Sequence, residues 1–397
     1  MSAKTVMTLI TSTKDLADLC THWHSENYIT VDTEFVRTRT FYAQLCLIQV
    51  GWSKGAVAID VLKNGLDLAP FMEVMKNRKV IKVFHAARQD IEIFYQIAEV
   101  IPAPLFDSQI AAMVCGFGES VGYETLVKGI TGHSLDKSQR FTDWSHRPLN
   151  KNQLEYAIGD VTHLRKIYEH FRAKLEKNGR SEWLDEEMKV LTSPETYQFP
   201  PELAWRRIRV KSTNRRFLAR VQALAALRES EAQTRDVPRN RIMDDKMLLQ
   251  LAANAPKNQK ELDRALVRAR PLRDNKLAAG VLKAIRKAEG LPEDALPKSG
   301  APRQNGRLPE GTVELLKVLL KHQCAEAHVA TKLVATVADL EEFARQGNGL
   351  KGNGKAPAFT TGWRYALFGK TAKDLIKGNV ALSSGPRGLK IISTKKD

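Results

Sequence analysis

YITVDTEF, residues 28–35, is the stretch on which the fold turns. Its β-branched and aromatic residues favour a strand, yet Asp32 and Glu34 break into the run. Side chains two positions apart leave the same face of a strand, so both carboxylates share a side. Outward from it, LCLIQV (45–50) and AVAIDVL (56–62) read as two more strands flanking the turn cluster GWSKG (51–55). Three β-runs with short connections predict an antiparallel meander. VIKVF (80–84) is a further strand candidate, preceded by a helical stretch at 69–77. Within 87–98, Ile91, Phe94, Tyr95 and Ala98 recur at helical spacing. Leu105, Phe106 and Asp107 make a short strand, and Asp107 or Ser108 caps the apolar segment 109–115. A long helix is expected over 151–177. The order βββαβαβα predicts an α/β domain, a mixed sheet covered by helices.

A linker, TSPETYQFPP (192–201), closes this region, and beyond it strands nearly vanish. Helices at 212–232, 244–253, 259–269 and 274–289 predict a compact all-α domain. A Pro- and Gly-rich segment, 291–311, separates it from helices at 312–321, 325–334, 337–345 and 362–377, with a loop at 347–357. The domains expected are therefore 1–192, 202–290 and 308–385, which a chain of 397 residues accommodates.

Charge divides along the same line. Residues 1–200 hold 23 Lys and Arg against 25 Asp and Glu, a net of −2. The remaining residues hold 39 against 20, a net of +19, for +17 in all. A near-neutral first half joined to a basic second half suits a division between chemistry and the holding of a polyanion. Cys20, Cys46, Cys115 and Cys324 lack C-x-x-C spacing, which argues against a cysteine zinc site and for reduced thiols. Cys46 and Cys115 lie in apolar runs and are expected to be buried. No stretch of 18 apolar residues occurs and the first ten residues lack a long apolar segment, so a cytoplasmic protein is expected.

Three segments place acids in unusual settings. Asp32 and Glu34 repel each other on one strand face unless a cation sits between them, and hard oxygen ligands suit Mg²⁺ or Mn²⁺. Asp90 begins the helix after a strand, an edge of α/β sheets where sites form. Tyr156 and Asp160, four residues apart, share a helix face. Singly, each has an ordinary reading: an exposed strand face, a charge complementing a helix N-terminus, a surface pair. Together they suit two divalent cations about 4 Å apart, clamping a phosphodiester. Asp32 would bridge both ions, Glu34 and Asp160 would complete one site, and Asp90 would serve the other directly or through water. Tyr156, a phenol with an ordinary pKa near about 10, is better placed to orient the attacking water than to deprotonate it.

The acids come as D-x-E, a lone Asp, then Y-x-x-x-D, in VDTEFVRTRTFYAQLCLIQV (31–50), VFHAARQDIEIF (83–94) and FTDWSHRPLNKNQLEYAIGDVTHLRKIY (141–168), with LFDSQIAAMVCGFGESVGYETLV (105–127) between. This pattern resembles the Tyr-containing branch of the DEDD exonuclease superfamily, and within it the ribonuclease D family, over nearly all of the first 190 residues. The resemblance implies a ribonuclease H-like exonuclease domain and removal of nucleotides from RNA 3′ ends as 5′-monophosphates. It implies tRNA precursors and other structured RNAs as substrates. It also implies two helical HRDC modules, the first carrying AWRR (204–207) and VPRNRIMDDK (237–246), the second, more diverged, carrying GWR (362–364). One departure is Gly159, where the family has a better helix former; glycine there costs about 1 kcal/mol.

Further candidates for RNA contact are Gln44 on the second strand, His85 five residues before Asp90, Arg37 and Arg39 after the first motif, and Trp144 and Arg147 before the last catalytic helix. Downstream, Trp205, Arg206, Arg207, Arg209, Lys211, Arg215, Arg216 and Phe217 interleave bases with aromatics, and Arg239 and Arg241 add charge. That composition suits phosphate contact and stacking, with the aromatics expected in the core and the arginines outside. Two rival readings are the same chemistry on DNA, and an RNA-binding protein on a retired exonuclease fold. Retention of all four acids and the tyrosine opposes the second.

Overall fold

The computed structural model describes residues 8–136, 138–266, 274–297, 308–350, 356–386 and 388–394. It divides into two compact units. One comprises Met1–Phe35, Leu45–Thr196 and Arg303–Asp397; the other comprises Val36–Gln44 and Tyr197–Pro302.

In the first unit a six-stranded sheet has the order β1-β4-β3-β2-β5-β6. The strands are β1 (Thr8–Ile10), β2 (Tyr28–Val36), β3 (Gln44–Trp52), β4 (Gly55–Ile59), β5 (Ile81–Phe84) and β6 (Leu105–Asp107). β3 and β4 pair antiparallel, as the meander predicts, but β1 runs parallel to β4, and β5 runs parallel to both β2 and β6. β4 stops at Ile59 rather than residue 62, because Asp60 turns to accept the Leu62 N–H and the Arg147 guanidinium. β3 lies inside the sheet, and its residues 45–51 are all buried, which explains its near-continuous apolar run.

Helices α1 (Thr13–Trp23), α2 (Ala69–Lys76), α3 (Arg88–Ala98), α4 (Ser108–Val114), α5 (Tyr123–Thr131), α6 (Lys151–Asn178) and α7 (Ser181–Leu191) cover it. Fully buried rings of Trp23, Phe71 and Phe94 meet edge to face at 6.4 and 5.8 Å and form the packing between α1, α2 and α3. α6 begins at a capping box in which Asn150 accepts the Gln153 N–H and Gln153 accepts the Asn150 N–H. Its approach to the sheet depends on Gly51: a Cβ there would lie 2.5 Å from Thr30 Oγ1 and 3.0 Å from the Val161 carbonyl. The Thr30 hydroxyl donates to that carbonyl at 2.8 Å, fixing the turn of α6 that carries Asp160.

By its contacts the C-terminal segment groups with this unit. It holds α13 (Thr312–Glu326), α14 (Thr331–Val334), α15 (Val337–Gly347), the short α16 (Gly362–Arg364), a π-helical turn at Tyr365–Gly369, α17 (Lys370–Ile376) and a hairpin of β7 (Val380–Gly385) and β8 (Gly388–Ser393). The helix expected at 325–334 is broken by His328 at φ 50°, and the hairpin was not expected. Trp183 stacks on Trp363 with centroids 4.1 Å apart, and Arg364 pairs with Glu186 and Glu187. Arg180 donates to the carbonyls of Val114, Ala327 and His328. Gly116, at φ 80°, passes so close to His328 that a Cβ would sit 2.6 Å from its carbonyl oxygen.

The second unit is helical: α8 (Arg215–Thr234), α9 (Arg239–Ile242), α10 (Asp245–Asn254), α11 (Gln259–Ala265) and α12 (Asn275–Glu289). The expected helix end at 267–269 lies outside the described residues. Leu224, Leu248, Leu251, Leu262 and Val281, all fully buried, form its core, and Trp205 and Phe217 pack against it as expected. Phe41, from the segment after β2, is also in this core. Asp236 accepts the backbone N–H groups of Phe41 and Tyr42 at 3.0 Å each, and the Arg239 guanidinium lies 4.5 Å from the Phe41 ring centre.

All four cysteines are buried free thiols. Among the described residues no helix is long and apolar enough to cross a membrane.

Candidate active site

Strand alternation places Asp32 and Glu34 on one face of β2, and the turn of α6 held by Thr30 brings Asp160 to them. One carboxylate oxygen from each of Asp32, Glu34 and Asp160 lies within 4.8 Å of the others. Asp90, in the first turn of α3, lies outside this trio, near enough to feel the Asp32 charge and for its own charge to act on Glu34. The Thr33 hydroxyl, from the opposite face of β2, donates to Asp90 Oδ1 at 2.5 Å. The expected four-acid convergence is therefore three together with the fourth beside them.

Burial pushes all four carboxyl groups up. Asp32 rises to about 6 from desolvation. Glu34 rises to about 10, from desolvation first and then the charges of Asp32, Asp160 and Asp90, against a small opposing pull from Arg140. Asp90 and Asp160 rise for the same two reasons, burial and then the Asp32 charge. Carboxylates this close cannot all ionise without a cation. An all-oxygen cluster of acids fits a hard divalent ion such as Mg²⁺ or Mn²⁺.

The supporting shell explains the aim of these groups. Asp107 is the N-cap of α4, accepting from Gln109 and Ile110 N–H. The same carboxylate reaches back to the Ala86 and Ala87 N–H groups at 3.1 and 2.8 Å, where Ala86 takes φ 58°. It thereby fixes the start of α3 and the position of Asp90. The Tyr123 hydroxyl donates to the Asp160 carbonyl, tying α5 to α6. The Tyr156 hydroxyl lies in the field of the Asp160 carboxylate, and its pKa is driven upward by burial and then by the Asp160, Glu34 and Asp32 charges. Tyr156 is therefore a neutral hydroxyl at physiological pH.

These groups open onto a cavity of about 430 Å³ lined by Asp32, His85, Tyr123, Arg140, Tyr156 and Asp160 among others. His85 has Nδ1 2.9 Å from Ser108 Oγ, and burial lowers its pKa to about 4, so it meets a ligand as a neutral ring. Trp144 and Arg147 do not line the cavity. Trp144 is buried, 6.1 Å from the Tyr156 ring. Arg147 is committed to the protein: it grips Asp60 through Nε and Nη2 and donates to the carbonyls of Trp144, His146 and Cys46. Both shape the segment leading into α6 rather than offering themselves to a substrate. Arg37 donates to the Phe41 carbonyl, and Arg37, Arg39 and Gln44 all fall in the portion of chain assigned to the helical unit.

Sequence reasoning missed Thr33, Tyr123 and Arg140 and saw Asp107 only as a cap. Strand alternation identifies Thr33 as facing away from Asp32, but nothing local pairs it with Asp90. Tyr123 acts 37 positions from its partner, beyond any short-range pattern.

Comparison with known proteins places these features in a family. A family model described as "3'-5' exonuclease" matches residues 7–176, and one described as "HRDC domain" matches residues 217–285. The chain is 45% identical over 387 residues to a ribonuclease D of Jannaschia sp., covering 96% of this chain and 98% of that one. It is 45% identical over 388 residues to a ribonuclease D of Granulibacter bethesdensis, covering 98% and 97%. Among solved structures, Escherichia coli RNase D, described as an exoribonuclease involved in structured RNA processing, superposes with a TM-score of 0.80 at 30% identity, covering 94% of this chain and 99% of that one.

Proposed function

The chain belongs to the ribonuclease D family, and from that premise we propose that it removes nucleotides one at a time from the 3′ ends of RNA, releasing nucleoside 5′-monophosphates. The observation that carries this reading is the trio of Asp32, Glu34 and Asp160 oxygens within 4.8 Å, with Asp90 alongside. Asp32, Glu34, Asp90 and Asp160 would hold two divalent cations, Mg²⁺ or Mn²⁺. When bound, such ions supply a nucleophile at neutral pH and neutralise charge building on the phosphodiester.

The chain's own groups do the rest. Tyr156, a neutral hydroxyl beside Asp160, orients the incoming water. Thr33 and Asp107 hold Asp90 at its angle, and Tyr123 holds the turn of α6 behind Asp160. Neutral His85 shapes the cavity wall.

Residues 1–192 form the exonuclease domain, 202–290 the first HRDC domain and 308–385 a diverged second copy. Arg206, Arg209 and Lys211, exposed on the helical unit, offer charge to RNA phosphates, whereas Arg215 and Arg216 are turned inward onto the carbonyls of Leu296, Pro297, Glu289 and Leu291. The substrates are tRNA precursors and other structured RNAs with free 3′ ends, processed in the cytoplasm.

The test is release of labelled mononucleotides from a 3′-labelled single-stranded RNA, beside a DNA of the same sequence, with Mg²⁺ or Mn²⁺ and with a chelator. Metal-dependent release from RNA in preference to DNA supports the reading. Equal rates on DNA would replace the RNA assignment, and no release from either would remove the enzyme.

A further inference from the structure

The strongest unexplained surface feature of the α/β unit adjoins a residue that lines this cavity. Phe141 is 88% exposed, the most exposed large hydrophobic side chain among the described residues; the next, Val190, is 60% exposed. Single exposed apolar side chains are common on protein surfaces. This one is distinguished by its neighbour. Arg140 lines the cavity with Asp32 and Asp160, and its guanidinium carbon lies 5.3 Å from the Phe141 ring centre. Among the described lining residues Arg140 is the single lysine or arginine. Its charge is felt at both Glu34 and Asp160.

The turn that carries the pair is anchored on both sides. Ser138 donates to Asp136. The Gln139 carbonyl accepts both the N–H and the hydroxyl of Thr142, at 3.2 and 2.8 Å. Gln153, in the capping box of α6, donates to that same hydroxyl at 3.2 Å. Trp144, two residues beyond Thr142, is buried. Arg140 and Phe141 are thus presented from a braced turn, one facing the acids and the other facing solvent.

A guanidinium beside an exposed aromatic ring matches one repeat of a single-stranded nucleic acid, a phosphate followed by a base face. We propose that Arg140 and Phe141 form a substrate subsite at the cavity mouth, Arg140 pairing with a backbone phosphate near the scissile bond and Phe141 stacking on the base of the penultimate nucleotide. Stacking accepts any base, so the subsite grips the strand without reading sequence. It would also require that the last two nucleotides be unpaired, because a base held in a duplex cannot present its face to the ring.

This inference rests on the exonuclease reading above, and the experiment separates the two. Steady-state hydrolysis of a short single-stranded RNA is measured for the full chain, Phe141→Ala, Phe141→Trp and Arg140→Gln, on the normal substrate and on one abasic at the penultimate position. Robust metal-dependent hydrolysis by the unaltered protein establishes the parent reading independently. Phe141→Ala is expected to raise KM about tenfold with kcat changed less than twofold, and Phe141→Trp to restore it. The abasic substrate should cost the unaltered protein a similar factor and cost Phe141→Ala nothing more. Arg140→Gln should lower kcat/KM by about tenfold or more. A Phe141→Ala enzyme with unchanged KM, or an abasic penalty of equal size in both proteins, overturns the proposal even when hydrolysis itself is normal.

Discussion

The two units treat buried acid in opposite ways. In the helical unit, Glu229 on α8 is 1% exposed, and it is matched: Arg239 grips it with Nε and Nη2 at 2.5 Å each, and Arg207 stands 4.0 Å away. In the α/β unit, Asp90 and Asp160 are 7% and 8% exposed and face two further carboxylates, with no ion pair formed by any of the four among the described residues. Burying a charge is tolerable when it is paired. Leaving four acids in one another's field raises the free energy of the metal-free fold. The lesson is that Glu229 serves the architecture, while the acids around Asp32 are kept in a state that a proton or a cation relieves.

The comparison breaks most visibly at Asp160. Asp160→Asn, or Asp32→Asn, should reduce hydrolysis on the order of a thousandfold or more, as when a group stabilising transition-state charge is lost. RNA binding should persist, and the melting temperature without metal should hold or rise because a repelling charge has gone. A matching loss of fold stability would mean that these acids are structural. Glu229→Gln should do the reverse: about 2–3 kcal/mol less stability by denaturant unfolding, since Arg239 loses its partner yet stays partly in water. Hydrolysis per folded molecule should be retained, and an unchanged unfolding midpoint would contradict the pairing argument.

Tyr156→Phe removes a hydroxyl without touching a carboxylate. Turnover should slow by roughly tenfold to a hundredfold, comparable to losing a supporting contact at a metal site, while Mn²⁺ affinity measured by titration stays the same. Turnover equal to the parent would remove the water-orienting role.

A smaller effect should appear in the pH dependence of the metal-free protein. Asp32 moves from 3.8 up to about 6 on folding, and Glu34 from 4.5 up to about 10. A raised carboxyl pKa means the folded state prefers the proton. Stability is therefore greatest below about pH 4 as far as these groups are concerned, falls from there to about 6 for Asp32, and keeps falling towards about 10 for Glu34. The melting temperature without metal should decline across pH 4–8, and saturating Mg²⁺ should flatten the decline. A flat profile without metal would contradict the unpaired cluster. Smallest of all, Gly159→Ala should stabilise α6 by up to about 1 kcal/mol, since no atom lies within 4 Å of the added methyl. Destabilisation would show that the glycine is needed.

The acids were legible in the sequence because their settings were anomalous: Asp32 and Glu34 inside a β-rich run, Asp160 one turn after Tyr156. Strand alternation and helix periodicity were enough to assign their faces. The substrate candidates were less legible. Arg147 has the composition of a phosphate ligand, yet its partner Asp60 is 87 positions away. Nothing near Arg147 announces a buried acid waiting for it. Arg140 and Phe141 carry no local signal of exposure, because turn conformation and the cap at Asn150 decide it. The long helical periodicity of 215–234 and 275–289 was easy to read, whereas three-residue β1 is too short to show a pattern. The grouping of the C-terminal segment with the α/β unit depends on Trp183, Arg180 and Arg364 meeting partners over 60 positions away, information that no window of sequence contains.

The central claim is that side chains from β2, α3 and α6 jointly hold divalent cations. Calorimetric titration of the metal-free full chain with Mn²⁺, beside Asp160→Asn, tests it most directly. Two ions bound by the parent and at least one lost in the variant is the result expected; equal stoichiometry and affinity in both would contradict it.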